Sequence, residues 1–244
     1  MLDFLYKLDP LPAFFLFLAE NMLIVAGVVM LGYFIQKQVN KSTPFRISAK
    51  EYGTAFLTLF INTCITSAGF LLWNNGYISF STAVSFRMVI DFFILLLIMD
   101  LVMYLLHLII HHSAFYKPVH AFHHVYDKPS PIDLFVLSPL EAFAFGVLWL
   151  ILIFFYTCNF YAVVAYLVTN VVFGMLGHLS VEPFPRNWLR IPGLNLICTS
   201  TFHYIHHQDG RYNFGFYTTI WDRIGRTLAP DYTEQFIKNK EEQA

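Results

Sequence analysis

The chain has 244 residues, of which 57% are hydrophobic, 18% aromatic and 13% charged, with a mean hydropathy of +0.56. A soluble domain carries roughly a quarter of charged residues, so this balance excludes a disordered chain and leaves the bilayer as the expected solvent. The net charge of -1 provides no basic stripe for nucleic acid, and Cys64, Cys158 and Cys198 lack the spacing of a disulfide framework or a thiolate metal site.

Five apolar runs approach the roughly 20 residues that cross a bilayer as helix. They are Leu11 to Ile35, Tyr52 to Trp73, Met88 to Ile110, Leu134 to Tyr156, and the shorter Phe160 to Leu176. Asp3, Lys7 and Asp9 precede the first run and no small-residue cleavage site ends it, so it reads as a permanent span. The Gln36 to Glu51 loop carries Lys37, Lys41, Arg46 and Lys50, whereas Asn74 to Arg87 carries only Arg87. By the positive-inside rule the first loop is cytoplasmic. With the amino terminus outside, five crossings put thirteen of the fifteen Lys and Arg inside, Lys7 and Arg87 excepted. The link Thr157, Cys158, Asn159 makes the last two runs a tight hairpin, whose apex reaches the far side or stops within the bilayer. The expectation is an all-α, multi-pass bundle of four to five spans in one domain, 1–244, with a loosely held polar tail from Pro230 to Ala244.

The ten histidines are confined to residues 107–207. They form His107, His111 and His112, then His120, His123 and His124, a single His178, and finally His203, His206 and His207. On a helix, residues three and four apart share a face, so each box aims imidazoles in one direction. All ten fall on the side the charge rule makes cytoplasmic, which permits one shared cap. Clustered imidazoles repel as they protonate, and metal is their natural organiser. A structural zinc site closes with four ligands, so ten histidines point to two ions; iron, zinc and copper all suit imidazole.

Carboxylates inside apolar runs are costly and call for a task. Asp100, Tyr104, His107 and His111 form one stripe, which would let Asp100 accept a ring N–H from a metal-bound histidine. Glu141 and Glu182 are candidates for the same role. Asp91 and Glu20 are read as lying near span ends, within reach of water, and receive none.

Residues 107–124, HLIIHHSAFYKPVHAFHH, resemble the membrane sterol desaturase and fatty acid hydroxylase superfamily. Further matches are Asp100 with Tyr104, Ser138-Pro139-Leu140-Glu141 with serine in place of the family's histidine, and Gly177-His178 followed by Glu182-Pro183-Phe184-Pro185. The last box is similar too, with its trailing Asn213-Phe214-Gly215 and Trp221-Asp222-Arg223, so the resemblance covers about Asp100 to Thr227. Two departures stand out. Gly225-Arg226-Thr227 occupies the place of Phe-Gly-Thr, and Gly174 stands where some branches carry a histidine or asparagine ligand, leaving a water or an open coordination position. Those branches also use HxxxxH as the first box, which maps onto His107 and His112.

The resemblance implies a non-haem di-iron oxygenase that hydroxylates or desaturates a lipid such as a fatty acyl chain or sterol. Dioxygen is its co-substrate, and zinc is able to replace the two irons during purification. It also implies lateral entry of the lipid and an external electron donor, a ferredoxin or cytochrome b5 type, facing Lys117, Lys128, Arg186, Arg190 and Arg211. The short chain suggests a bacterial-type member, in an inner membrane rather than the endoplasmic reticulum. Competing readings from other classes are a divalent-metal transporter, a bis-histidine haem protein, and a structural membrane protein with an inert zinc cap.

Overall fold

The computed structural model describes residues 2–40, 47–126 and 128–243. Lys41 and Arg46, two of the cations in the first loop, lie outside them. After the short helix α1 (Leu2–Tyr6), helix α2 (Pro10–Val39) opens with Pro10 and Pro12, whose missing N–H groups cost nothing in a first turn. Helix α3 (Ala49–Asn74) starts in a capping box: Ser48 Oγ accepts from Glu51 N at 3.2 Å, and Glu51 Oε2 accepts from Ser48 N at 2.7 Å. Then follow α4 (Phe86–His111), α5 (Pro139–Phe155) and α6 (Phe160–Gly177).

Four of these helices, α2, α3, α4 and α6, are long and apolar enough to cross a membrane; α5 has 17 residues. It begins at Pro139 and not at Leu134 because Ser138 Oγ caps it, accepting from Glu141 N at 3.1 Å. Leu134 belongs instead to a separate 3-10 turn, Pro131–Phe135. The hairpin apex reaches the end of the bundle opposite the histidines. There, strand β1 (Phe80–Ser81), following α3, pairs in parallel with strand β2 (Cys158–Asn159).

Asp91 ties this far end together and does not reach water, being 1% exposed. It accepts from Arg87 Nε at 2.9 Å, Tyr156 OH at 2.7 Å and Asn159 N at 2.8 Å, joining the start of α4 to the hairpin. A carboxylate is tolerated here because three donors satisfy it.

At the opposite end, the segments after α4 and α6 fold over the bundle as a cap with helices α7 (Ser200–Gln208), α8 (Ile220–Gly225) and α9 (Tyr232–Glu242). The polar tail is held firmly, contrary to the sequence reading. Tyr232 and Phe236, four apart on one face of α9, are buried, and Tyr232 joins Cys198, Phe202 and Ile205 in one apolar cluster. The hydroxyls of Tyr232 and Thr199 lie 3.1 Å apart, and Lys240 Nζ donates to Glu182 O at 2.8 Å.

Candidate metal centre

Five short elements bring the imidazoles together. Helix α4 delivers His107 and His111 from its last two turns. A single wide turn, Tyr116–His120, follows, closed by Ala121 N donating to Tyr116 O at 2.8 Å. Pro118 inside it has no N–H to give, which suits the widened ladder and turns His120 inward. A 3-10 turn, His123–Val125, carries His123 and His124; His178 caps α6; and α7 carries His203, His206 and His207.

The rings fall into two groups whose candidate donor atoms lie within 4.8 Å of one another: His107, His111, His120, His124 and His206 in one, and His123, His178, His203 and His207 in the other. His112 belongs to neither. It is exposed, and its Nδ1 lies 3.0 Å from Leu108 O in its own helix. The first box thus contributes His107 and His111, at a spacing of four, to the first group.

The hydrogen bonds fix how these rings are protonated. Nδ1 of His107 donates to Phe214 O at 3.0 Å, that of His178 to Gly174 O at 2.7 Å, and that of His206 to Tyr212 O at 2.7 Å. Nδ1 of His123 faces Val136 O at 3.4 Å, and that of His120 donates to Glu141 Oε1 at 2.6 Å. A carbonyl oxygen only accepts, so in His107, His123, His178 and His206 Nδ1 carries the hydrogen and Nε2 presents a bare lone pair.

The Nε2 atoms face one another across both groups. Nε2 of His107 and His120 are 2.9 Å apart, and those of His123 and His178 are 3.2 Å apart. Further pairs are His124 with His206 at 3.1 Å, His178 with His203 at 3.3 Å and His203 with His207 at 3.1 Å. In the His123–His178 pair both nitrogens are bare, and two lone pairs without a hydrogen between them repel. Nitrogens on one ion with bonds of about 2.0–2.1 Å, by contrast, sit roughly 3.0–3.4 Å apart in octahedral or tetrahedral geometry. The residues fit two metal ions, one per group. Nε2 of His111 and Nδ1 of His207 are also buried without a hydrogen-bond partner.

Burial keeps these rings neutral and able to ligate. It pushes His124 and His178 down to about 4, and burial with the neighbouring imidazoles of His178 and His124 pushes His207 down to about 2. Burial holds His120 well below the usual range as well, so its contact with Glu141 is a hydrogen bond from a neutral ring to a carboxyl group.

The three carboxylates singled out from the sequence have different tasks. Glu141, 2% exposed, touches His120. Asp100 touches no imidazole; it accepts from Tyr217 N at 2.9 Å, Thr218 N at 3.3 Å, Thr218 Oγ1 at 2.5 Å and Trp221 Nε1 at 3.0 Å. It lies a turn too far down α4 to meet the rings and instead anchors the 217–221 segment. Glu182 likewise meets no ring but accepts from Thr201 N at 2.9 Å, satisfying the amino end of α7. It therefore holds the helix that carries three histidines.

The ring-orienting groups that the sequence reading missed are backbone carbonyls: Val136, Gly174, Tyr212 and Phe214. Two side chains fix the segment holding the last two. Asp222 accepts from Phe214 N at 2.8 Å and Gly215 N at 2.7 Å, and Asn213, at φ 61°, donates Nδ2 to Phe202 O at 2.9 Å and accepts from Ala229 N at 2.8 Å. Their motifs, Asn-Phe-Gly and Trp-Asp, were the available signal. The altered turn keeps its shape. Arg226 takes the left-handed conformation at φ 58° that the family's glycine would supply, while Gly225 makes room for the Tyr104 ring, Cζ of which would lie 3.2 Å from a Cβ there. At Gly174, Leu134 Cδ2 would lie 3.0 Å from a Cβ, so a side chain there would meet Leu134, and Gly174 also lines a small cavity beside His178 and His203.

A family model described as "Fatty acid hydroxylase" matches residues 92–227. The chain is 31% identical over 137 residues to a Delta(7)-sterol 5(6)-desaturase of Leptosphaeria maculans, covering 56% of this chain and 36% of that protein. It is 25% identical over 201 residues to lathosterol oxidase of Homo sapiens, covering 79% and 62%, and 28% identical over 148 residues to protein CER1-like 1 of Arabidopsis thaliana, covering 57% and 24%. The aligned part is thus less than two thirds of each of these relatives. No solved structure matches the chain.

Proposed function

Because the chain belongs to the fatty acid hydroxylase family, we propose that it is an oxygen-dependent membrane oxidoreductase that hydroxylates, or desaturates, a C–H bond of a lipid chain or sterol with two iron ions. One observation carries this reading. Two groups of neutral imidazoles converge their ring nitrogens at the end of an apolar helical bundle, where a lipid C–H bond can reach them. Iron bound there supplies dioxygen activation and hydrogen removal from an unactivated carbon.

The chain's own residues bind, orient and exclude water. The carbonyls of Phe214, Gly174 and Tyr212 and the carboxyl of Glu141 lock their rings so that Nε2 faces inward. The small cavity of about 10 Å³, the size of one water, lies beside His178 and His203, walled by Phe173, Phe202 and Phe216. All-imidazole ligation adds no negative charge to the ions, unlike the Glu-rich sites of soluble di-iron bundles.

By the positive-inside rule the cap faces the cytoplasm and receives electrons from a separate ferredoxin or cytochrome b5-type donor. Of the cations named for that contact, Arg186 pairs with Glu241 and Arg211 with Asp209, whereas Lys117, Lys128 and Arg190 are exposed. The test is lipid analysis of cells expressing the protein with iron, in air and without oxygen. The expected result is an oxygen-dependent lipid product that has gained one oxygen or lost two hydrogens and is absent for His206→Ala. Lipids identical in all three cultures, with metal-loaded protein in the membrane, would overturn the reading.

A further inference from the structure

Glu20 lies near the middle of the membrane and faces out of the bundle. The side chain of its neighbour Asn21 reaches Thr63 Oγ1 at 3.4 Å, and Thr63 stands at the middle of the 26-residue helix α3. At about 1.5 Å per residue, Glu20 is also roughly 15 Å along α2 from Pro10. Both measures put it inside a hydrocarbon core about 30 Å thick that begins where the apolar run does, at Leu11. The sequence reading, which put Glu20 near a span end, is corrected by this pairing. Glu20 is exposed on the outer face of α2, and among the described residues no hydrogen bond or ion pair reaches its carboxyl group. A carboxyl group bare to lipid at this depth is costly, and intramembrane acids normally face a protein partner.

The surface around it has a pattern. Leu16, Glu20, Leu23, Gly27, Met30 and Phe34 recur at alternating spacings of four and three, and all six are exposed. That spacing is the one a left-handed pair of parallel helices uses, and Glu20 is its one polar position. Helix α2 is also the least covered of the four span-length helices, with 11% of its apolar window buried, and a Cβ at Gly27 would meet nothing within 4 Å. Two copies of the chain share one orientation in a membrane, so their α2 helices can pair only in parallel about a two-fold axis along the bilayer normal. Such pairing sets each seam residue against its own copy. Carboxyl groups complement one another in that arrangement, one donating O–H and the other accepting.

We propose that the outer face of α2 is a homodimer interface, in which Glu20 of each copy hydrogen-bonds to Glu20 of the other within the bilayer. The inference does not depend on the catalytic reading. It is tested in native membranes by cross-linking Leu23→Cys in a Cys64→Ser background, with Leu97→Cys on α4, which is 46% exposed, as the lipid-facing control. The expected result is a species of twice the 28.3 kDa chain mass for Leu23→Cys and not for Leu97→Cys. Glu20→Leu added to Leu23→Cys should lower its yield at least about threefold, the scale of one interhelical hydrogen bond in a bilayer. Glu20→Gln should preserve it. Unchanged metal content in both Glu20 variants separates loss of pairing from loss of folding. Equal cross-linking at positions 23 and 97, a cross-link only to a different protein, or full yield in Glu20→Leu would overturn the proposal.

Discussion

His120 Nδ1 and Glu141 Oε1 lie 2.6 Å apart, and among the described residues this is the contact that gives either imidazole group a carboxyl neighbour. A carboxyl group behind a metal-bound ring fixes its orientation and strengthens the bond in front of it. The other Glu141 oxygen is buried without a partner, so the contact with His120 is the one hydrogen bond of this side chain among the described residues. Glu141→Gln should fold, because the Ser138 cap uses the backbone of residue 141, yet weaken retention of one ion about 10–100-fold in chelator competition. Equal retention by variant and parent would show that the carboxylate does not tune the site.

Asp100 and Thr218 illustrate a different kind of control. Four donors from Tyr217, Thr218 and Trp221 converge on one buried carboxylate, and the segment they fix runs directly on from Phe214, whose carbonyl orients His107. Asp100→Asn replaces an acceptor oxygen by a donor facing donors, which should cost about 2–3 kcal/mol of stability. Metal content should fall as the ring of His107 loses its guide. A thermal midpoint in detergent equal to that of the parent would contradict this.

Much of this organisation was legible in the sequence, and the parts that were not have a physical reason. The apolar runs gave the spans because lipid demands length and hydropathy, both properties of sequence alone. Histidine spacing placed two or three rings on one face of each box. What spacing cannot tell is how boxes on different segments sort into groups, so His123 parts from its neighbours His120 and His124 to join His178, and His112 joins neither. The ring-orienting carbonyls of Val136 and Gly174 leave no mark in a side-chain alphabet. Asp100 and Glu182 read as ring partners because they lie near histidines in the chain, yet the donors that surround them are the 217–221 segment and the start of α7.

Removing the metal should expose a pH dependence of known sign. A histidine in an unfolded chain titrates near about 6.5, whereas His124 and His178 in the fold are pushed down to about 4 by burial. Between these values the unfolded chain binds more protons. Stability of the metal-free protein is therefore fully present above about pH 6.5 and is lost as the pH falls from there towards about 4. The apparent unfolding midpoint of chelator-treated protein should drop between about pH 7.5 and about pH 5, and a flat or rising midpoint would show that the rings are not buried neutral.

Arg226 closes α8 in a conformation that costs a side-chain-bearing residue about 1 kcal/mol or more relative to glycine. Arg226→Gly should raise stability by roughly 1 kcal/mol without altering metal content, as read by denaturant titration in detergent. A loss of stability would mean that the arginine side chain contributes more than its backbone strain removes.

The most direct test of the two-ion centre is elemental analysis of purified protein from iron-supplemented cells, comparing the parent with His206→Ala and His203→Ala. Each substitution removes one ring from a different group. The account predicts about two transition-metal ions per chain in the parent and about one in each variant, with zinc able to replace iron. A parent with no bound metal, or one whose metal content neither substitution changes, would contradict it.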